Sequence, residues 1–455
     1  MDVTDPAALD AEELLAAYAA KQLNPLEALQ TVTERIARRN PEINAFAVMN
    51  AQGLQAARAS AQRWARGEPE GALDGVPVTV KDLIDMEGLP TRRGSKTTDA
   101  APVPADAPLV RALRAAGAVI IGKTTTTEFG WKSPGDCPLH GITRNPWNTA
   151  HTPGGSSSGA AAAAAAFFGP LHVGTDAGGS IRIPAAWSGV VGVKPTFGRV
   201  PQWPLGAFGH VAVAGPMARS VRDAALLLSV LAGYDVRDPF SLPEKKHDFL
   251  AGIEDGVAGV RIGVLMHPGF AAPVDADGMA ALETARQSLQ AQGAVITDLV
   301  VDLPDISEVF SKIWGVALAR AVDGTAEEKR GLLDAGLRDV AAQFRATPGL
   351  AVMAAEALRV QAAHVMAALE VDAILCPCVP HCAPLAEAPI GDPVAALWQN
   401  WAPWTLLFNL TRQPAISVPM GVNAAGLPTA VQVAAGIYRD DVALRVARAV
   451  ERGLG

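Results

Sequence analysis

Residues 151–184 read HTPGGSSSGAAAAAAAFFGPLHVGTDAGGSIRIP, and the chemistry of the chain is concentrated there. Two glycine–serine turns, Gly154-Gly155-Ser156-Ser157-Ser158-Gly159 and Ala177-Gly178-Gly179-Ser180, flank seven alanines and a short apolar segment. Glycine doublets reach backbone conformations closed to residues with a Cβ, and they let amide N–H groups point into a cavity. Ser156 and Ser180 lie 24 positions apart, which predicts one cavity holding two hydroxyls.

Outside that stretch the composition narrows the function classes. The chain has 455 residues, 49% hydrophobic and 18% charged, with a net charge of −8 that is spread rather than blocked. No Lys/Arg cluster provides an electrostatic footprint for nucleic acid. Four cysteines are too few for a disulfide scaffold in a chain this long. The acidic opening MDVTDPAALDAEELL has no basic region followed by an apolar run, so it does not read as a signal peptide. Ala160 to Phe168, taken as the longest apolar stretch, is shorter than the ~20 residues that span a bilayer. The expectation is a cytoplasmic protein without a membrane segment.

Residues 8–66 carry apolar residues at helical spacing with a break at Pro25, which predicts an opening layer of three helices. Leu73 to Lys81, LDGVPVTVK, reads as a strand that ends in a lysine. A helix over 108–116 leads to the strand Ala118-Val119-Ile120-Ile121. A strand–helix–strand pattern occupies 259–302, and 305–370 is mostly helical. VDAILCP and AISVPMGV read as strands before a closing helix. This alternation predicts the α/β class: one large domain over 1–455, its mixed central β-sheet covered by helices on both faces. Within it, 1–70 forms the helical layer, 71–230 the catalytic core, 231–370 a helical and βαβ insertion, and 371–455 the rest of the core.

Three motif matches compete for the chemistry. Gly117 to Thr124 satisfies GxxxxGK[ST], but its four middle residues, Ala-Val-Ile-Ile, read as strand rather than a phosphate-wrapping loop. Gly155 to Gly159 fits GxSxG with Ser157 as an esterase nucleophile, yet HTPG before it is no strand. Cys376, Cys378, His381 and Cys382 are soft ligands within seven residues, but paired zinc ligands are usually spaced otherwise. What remains is a lysine and two serine turns. A serine must give its proton to a base, and a buried lysine can be that base because desolvation favours the neutral amine. A second serine can carry the proton where the first does not reach the lysine. Amides of Gly178, Gly179 and Ser180 could stabilise an oxyanion.

Lys81, the GGSSSG turn and GTDAGGSIRIP together resemble the amidase signature family, hydrolases with a Ser–cis-Ser–Lys triad. The likeness runs through AGAVIIGKTTTTEF, TRNPW, GVVGVKPTFGRV, GPMARSV and FNLTRQPAISVPMG. It implies Ser180 as nucleophile, Ser156 as relay after a cis Gly155–Ser156 peptide, and Lys81 as general base and then acid. It also implies an oxyanion hole from Ala177, Gly178, Gly179 and Ser180, with Ser157, Asp176 and Arg182 supporting the turns, and Gly130 and Trp131 lining the acyl pocket. Ser158, Arg412 and Val211-Ala212-Val213 depart from the common pattern, which bears on the pocket rather than the triad.

The segment 199–210, RVPQWPLGAFGH, reads as an entrance loop, with Arg199, Trp203, Leu205 and Phe208 as pocket residues. Trp398, Trp401 and Trp404 are expected as a second wall. These aromatics favour a neutral, apolar substrate; the chain also resembles the urethanases of the family, which implies an amide or carbamate. The alternatives are the glutaminase component of a tRNA-dependent amidotransferase, which needs a partner, and an esterase using Ser157. The reading implies no cofactor and no metal, a small-molecule substrate, no nucleic acid, and a monomer or homodimer.

Overall fold

Strong local signals start the chain. Asp10 and Glu13 form a reciprocal capping box on helix α1 (Ala11–Ala19), and Asn24 with Glu27 does the same for α2 (Pro25–Ile43), where Pro25 occupies the first turn. A short strand, β1 (Phe46–Met49), precedes α3 (Gly53–Arg66), so the helical layer already feeds the sheet. The computed structural model describes residues 5–243, 247–268, 273–387, 401 and 403–454.

The sheet continues with β2 (Pro77–Lys81), β3 (Val119–Thr124), β4 (Leu171–Asp176), β5 (Val191–Lys194) and β6 (Val213–Ala218). It is completed by β7 (Arg261–Leu265), β8 (Val295–Leu299), β9 (Ala373–Pro377), β10 (Ala415–Val422) and β11 (Pro428–Ala435). Among the described residues these form one 11-stranded sheet in the order β1-β3-β2-β4-β6-β5-β10-β11-β9-β7-β8. Strand β2 runs parallel to β3 and β4, and β7 runs parallel to β8 and β9; the other pairs are antiparallel. The sheet is therefore mixed, as expected. β7 and β8 extend its edge, so the strands of 231–370 belong to the same sheet. β11 is a strand that the sequence pattern did not single out.

The remaining helices are α4 (Pro108–Ala115), α5 (Ser158–Ala165), α6 (Arg182–Ser188), α7 (Val221–Leu231), α8 (Ala276–Ala291), α9 (Ile306–Asp323), α10 (Ala335–Phe344), α11 (Gly349–Ala367), α12 (Thr405–Leu410) and α13 (Asp440–Arg452). Period-2 alternation divides the strand side chains between two cores. Ala373 and Leu375 face the core under α4, α7, α8 and α13. Ile374 and Cys376 face the core under α6 and α9 to α12.

Helix α11 has 19 residues and holds an 18-residue window with a mean hydropathy of 1.2, so by length and composition alone it is apolar enough to cross a bilayer. It is not the apolar stretch expected from the sequence, Ala160 to Phe168. That segment is α5 and its C-terminal turn, and its alanines other than the half-buried Ala165 are buried because a Cβ-only surface lets the helix lie against β2, β3 and β4.

Candidate active site

Lys81 ends β2 with its side chain fully buried. Its Nζ lies 2.8 Å from Ser156 Oγ, 2.9 Å from Ser157 Oγ and 2.9 Å from Thr175 Oγ1. Burial pushes this ammonium well below the ordinary lysine value, and Asp176 only partly opposes it. A neutral amine has one lone pair and two hydrogens. The Ser157 hydroxyl already donates to the Thr175 carbonyl at 3.1 Å. Ser156 is therefore the serine free to give its proton to that lone pair. The peptide between Gly155 and Ser156 is cis, as the resemblance implied.

The two serine turns are fastened to each other: the Ser157 amide donates to the Ser180 carbonyl at 3.1 Å. Asp176, at the end of β4, builds the second turn from inside. Its carboxylate accepts the amides of Gly179 (2.8 Å), Ile181 (3.1 Å) and Arg182 (3.4 Å). It also receives Arg182 Nε and Nη2, each at 3.0 Å, with both side chains fully buried. Burial alone would raise this carboxyl, but the charge and hydrogen bonds of Arg182, with Lys194 and Asn409, hold it well below the usual carboxylate range. Arg182 spends its other donors on Gln432 Oε1 and Asn409 Oδ1. Gly179 has φ +126°, and a Cβ there would lie 2.4 Å from Thr405 Oγ1, so glycine is required.

One expectation changes here. The Gly179 amide is turned onto Asp176, so it braces the turn rather than opening a donor. Among the described residues, the amides of Ala177, Gly178 and Ser180 have no protein acceptor. These three remain available to a developing oxyanion.

Ser156 and Ser180 both line a cavity of about 520 Å³, together with Thr175 and Ala177. Gly130, Trp203, Leu205 and Phe208 line it as expected, joined by Phe129. Phe208 stacks on Trp314 with ring centroids 3.8 Å apart, which anchors the entrance loop to α9. Two predicted lining residues sit elsewhere. Trp131 is buried against Gly336, where backbone without a Cβ leaves room for the indole. Arg199 is buried with Asp440 at 3.1 Å, an ion pair inside the core. Trp401 and Trp404 pack under α9 in the core, so neither forms a second wall; Trp398 lies outside the described residues.

Ser157 is fully buried and absent from the cavity wall, which leaves the esterase elbow without an accessible nucleophile. The GxxxxGKT stretch is β3, with Lys123 paired to Asp82 at 2.7 Å. The cysteines diverge as well: Cys376 meets Gln432, Cys378 meets the Arg182 carbonyl, and His381 stacks on Trp187. Ligand atoms of Cys382, Asp275 and Asp277 approach within 4.8 Å. Asp275, however, caps α8 and Asp277 accepts from Asn423.

Thr175, Asn409 and Gln432 escape the sequence pattern. Thr175 stands inside the GTDAGGS motif with its Oγ1 2.9 Å from Lys81 Nζ. Asn409 and Gln432 lie 227 and 250 positions from Arg182; Asn409 falls in the FNLTRQPAISVPMG stretch without a role assigned to it there, and no local pattern announces Gln432.

A lysine stripped of water, a hydroxyl beside it, a second hydroxyl in the cavity and three unclaimed amides are the equipment of an acyl-transfer hydrolase. The chain matches the family described as Amidase over residues 27–444 and belongs to it. It is 37% identical to the A-type component of the glutamyl-tRNA(Gln) amidotransferase of Anaeromyxobacter sp. (strain K), over 98% of this chain and 96% of that protein. It is 36% identical to an acylamidase of Rhodococcus erythropolis, over 96% and 94%. A bacterial aryl acylamidase of the amidase signature family superposes with a TM-score of 0.89 at 28% identity, over 98% and 96%. The native peptide amidase of Stenotrophomonas maltophilia gives 0.82 at 30% identity, over 98% and 97%. The protein is an amidase-family hydrolase of amide C–N bonds in a single domain.

Proposed function

We propose that this protein hydrolyses amides or carbamates with an apolar body through an acyl- or carbamoyl-Ser180 intermediate. Ser180 Oγ gives its proton to Ser156, and Ser156 gives its own to Lys81 Nζ. The alkoxide attacks the carbonyl carbon, and the amides of Ala177, Gly178 and Ser180 receive the oxyanion, each worth ~3 kcal/mol when aimed at the developing charge. Lys81 returns the proton through Ser156 to the leaving nitrogen, and the C–N bond breaks. Water then attacks the ester by the same route. From a carbamate, the leaving group is an amine or an alcohol and the released acid can lose carbon dioxide.

The observation that carries this reading is the fully buried Lys81 Nζ, 2.8 Å from the one neighbouring serine hydroxyl that also opens on the cavity. Phe129, Trp203 and Phe208 on the cavity wall support an apolar, aromatic-tolerant acyl or aryl group. We place the enzyme in the cytoplasm, as a monomer or homodimer acting on small molecules. The test is a panel of anilides, aliphatic amides, esters and carbamates given to the purified chain, with products identified by mass. Hydrolysis of anilides or carbamates and fluorophosphonate labelling at Ser180 are expected. Labelling that persists in Ser180→Ala would overturn the nucleophile assignment.

The identity to A-type amidotransferase components favours a second reading, a glutaminase working with a partner. It predicts that the chain alone leaves the whole panel untouched and releases ammonia from glutamine only alongside that partner.

A further inference from the structure

The walls of the cavity differ from its mouth. Beside its apolar rings, the cavity is lined by Arg93, Arg320 and Lys329 and by a single carboxylate, Asp85. A surplus of two positive charges stands at this opening, on a chain whose net charge is −8. Among the described residues, none of the three cationic side chains has an ion-pair or hydrogen-bond partner. The nearby acid on α9, Asp323, is turned away to Arg345 at 2.8 Å. Arg320 belongs to the last turn of α9 and Lys329 to the short helical turn that follows, so both stand on one rim. Arg93 stands half-buried on the loop between β2 and α4. The catalytic floor contrasts with this, since every charge there is paired or neutralised by burial.

Unpaired cations around a partly apolar cleft focus the field on incoming anions and raise their local concentration. We infer that the preferred substrate carries a carboxylate on the end remote from the scissile bond, held by Arg320 and Lys329 with Arg93. This rests on the hydrolase reading above and specifies its substrate class: an apolar body with one acidic end. It replaces the fully neutral substrate that the aromatic residues suggested.

The experiment compares matched anilides that differ only in a terminal carboxylate or its methyl ester. The acid should show a kcat/KM at least about tenfold higher at low salt, set mainly by KM. That preference should shrink in 0.5 M salt, since exposed charges are screened over ~10 Å at 0.1 M and less above it. In Arg320→Gln/Lys329→Gln the acid-to-ester ratio should fall about tenfold, whereas Arg320→Lys/Lys329→Arg should keep it. Calorimetric binding of both ligands to Ser180→Ala separates the two claims. Tighter binding of the acid there upholds the charged mouth even if neither anilide is hydrolysed by the wild type. Equal or tighter binding of the ester, or a ratio unchanged in the double Gln variant, overturns it.

Discussion

The floor of the cavity and its mouth are built on opposite principles. On the floor, Lys81, Ser157, Asp176, Arg182 and Asn409 are buried and their polar atoms are committed to named partners. At the mouth, Arg320 and Lys329 are exposed and unpartnered, Trp203 is 41% exposed, and rings replace hydrogen bonds. A committed floor holds reacting groups to within fractions of an ångström, as acyl transfer demands. An open mouth can be rebuilt without disturbing that geometry. On the proposed function, reaction type belongs to the floor and substrate choice to the mouth.

That division can be broken by substitution. Ser180→Ala should lower amide hydrolysis by at least about 10⁴-fold and keep the thermal midpoint within a few degrees, as read by steady-state assay and calorimetry. Residual activity within tenfold of the wild type would move the nucleophile elsewhere.

Lys81→Ala should abolish turnover too, and Ser156→Ala should cut it by about 10²- to 10³-fold, less than Ser180→Ala, because water can partly replace a relay. Equal losses at 156 and 180 would make the relay as indispensable as the nucleophile. The amine must be neutral to accept a proton, and burial depresses its pKa. The kcat/KM of the wild type should therefore fall as pH drops through that depressed value, about tenfold per unit below it. A kcat/KM that falls at no acid pH at which the fold persists speaks against a titrating lysine.

Arg182→Gln tests the floor as structure. It leaves Asp176 buried without its counter-charge, so urea unfolding should register a loss of about 3–5 kcal/mol. The wild-type carboxyl is held below the usual range, so its contribution is complete above the ordinary carboxylate pKa and is lost as pH falls. A variant as stable as the parent at pH 7 would show that Asn409 and the backbone amides suffice for Asp176. The smallest effect belongs to the mouth. Phe208→Ala should raise KM several-fold with kcat changed less than about threefold, and a kcat loss as large as that of Ser156→Ala would erase the distinction between the regions.

Several features were legible along the chain because their causes are local. The proline at 25, the glycine–serine turns and a lysine closing an apolar strand all stand where the linear pattern puts them. The motif order was enough to name the family. Burial was not legible. Arg199 and Trp131 carry the residue types of a pocket wall, but Asp440 comes from 241 positions away to pair the first, and Gly336 makes room for the second.

The chain order thus supplied the groups proposed for the reaction: Lys81, Ser156, Ser180 and the glycines that let amides face a cavity. Only tertiary structure decided how those groups are spent. It turned the Gly179 amide inward to Asp176, made Ser157 a brace and Ser156 the free hydroxyl, and gathered Arg93, Arg320 and Lys329 from distant segments onto one mouth. The reason is physical. A conformational preference acts over a few residues, whereas a pKa, a hydrogen-bond partner or a surplus of charge is set by whatever the fold brings close.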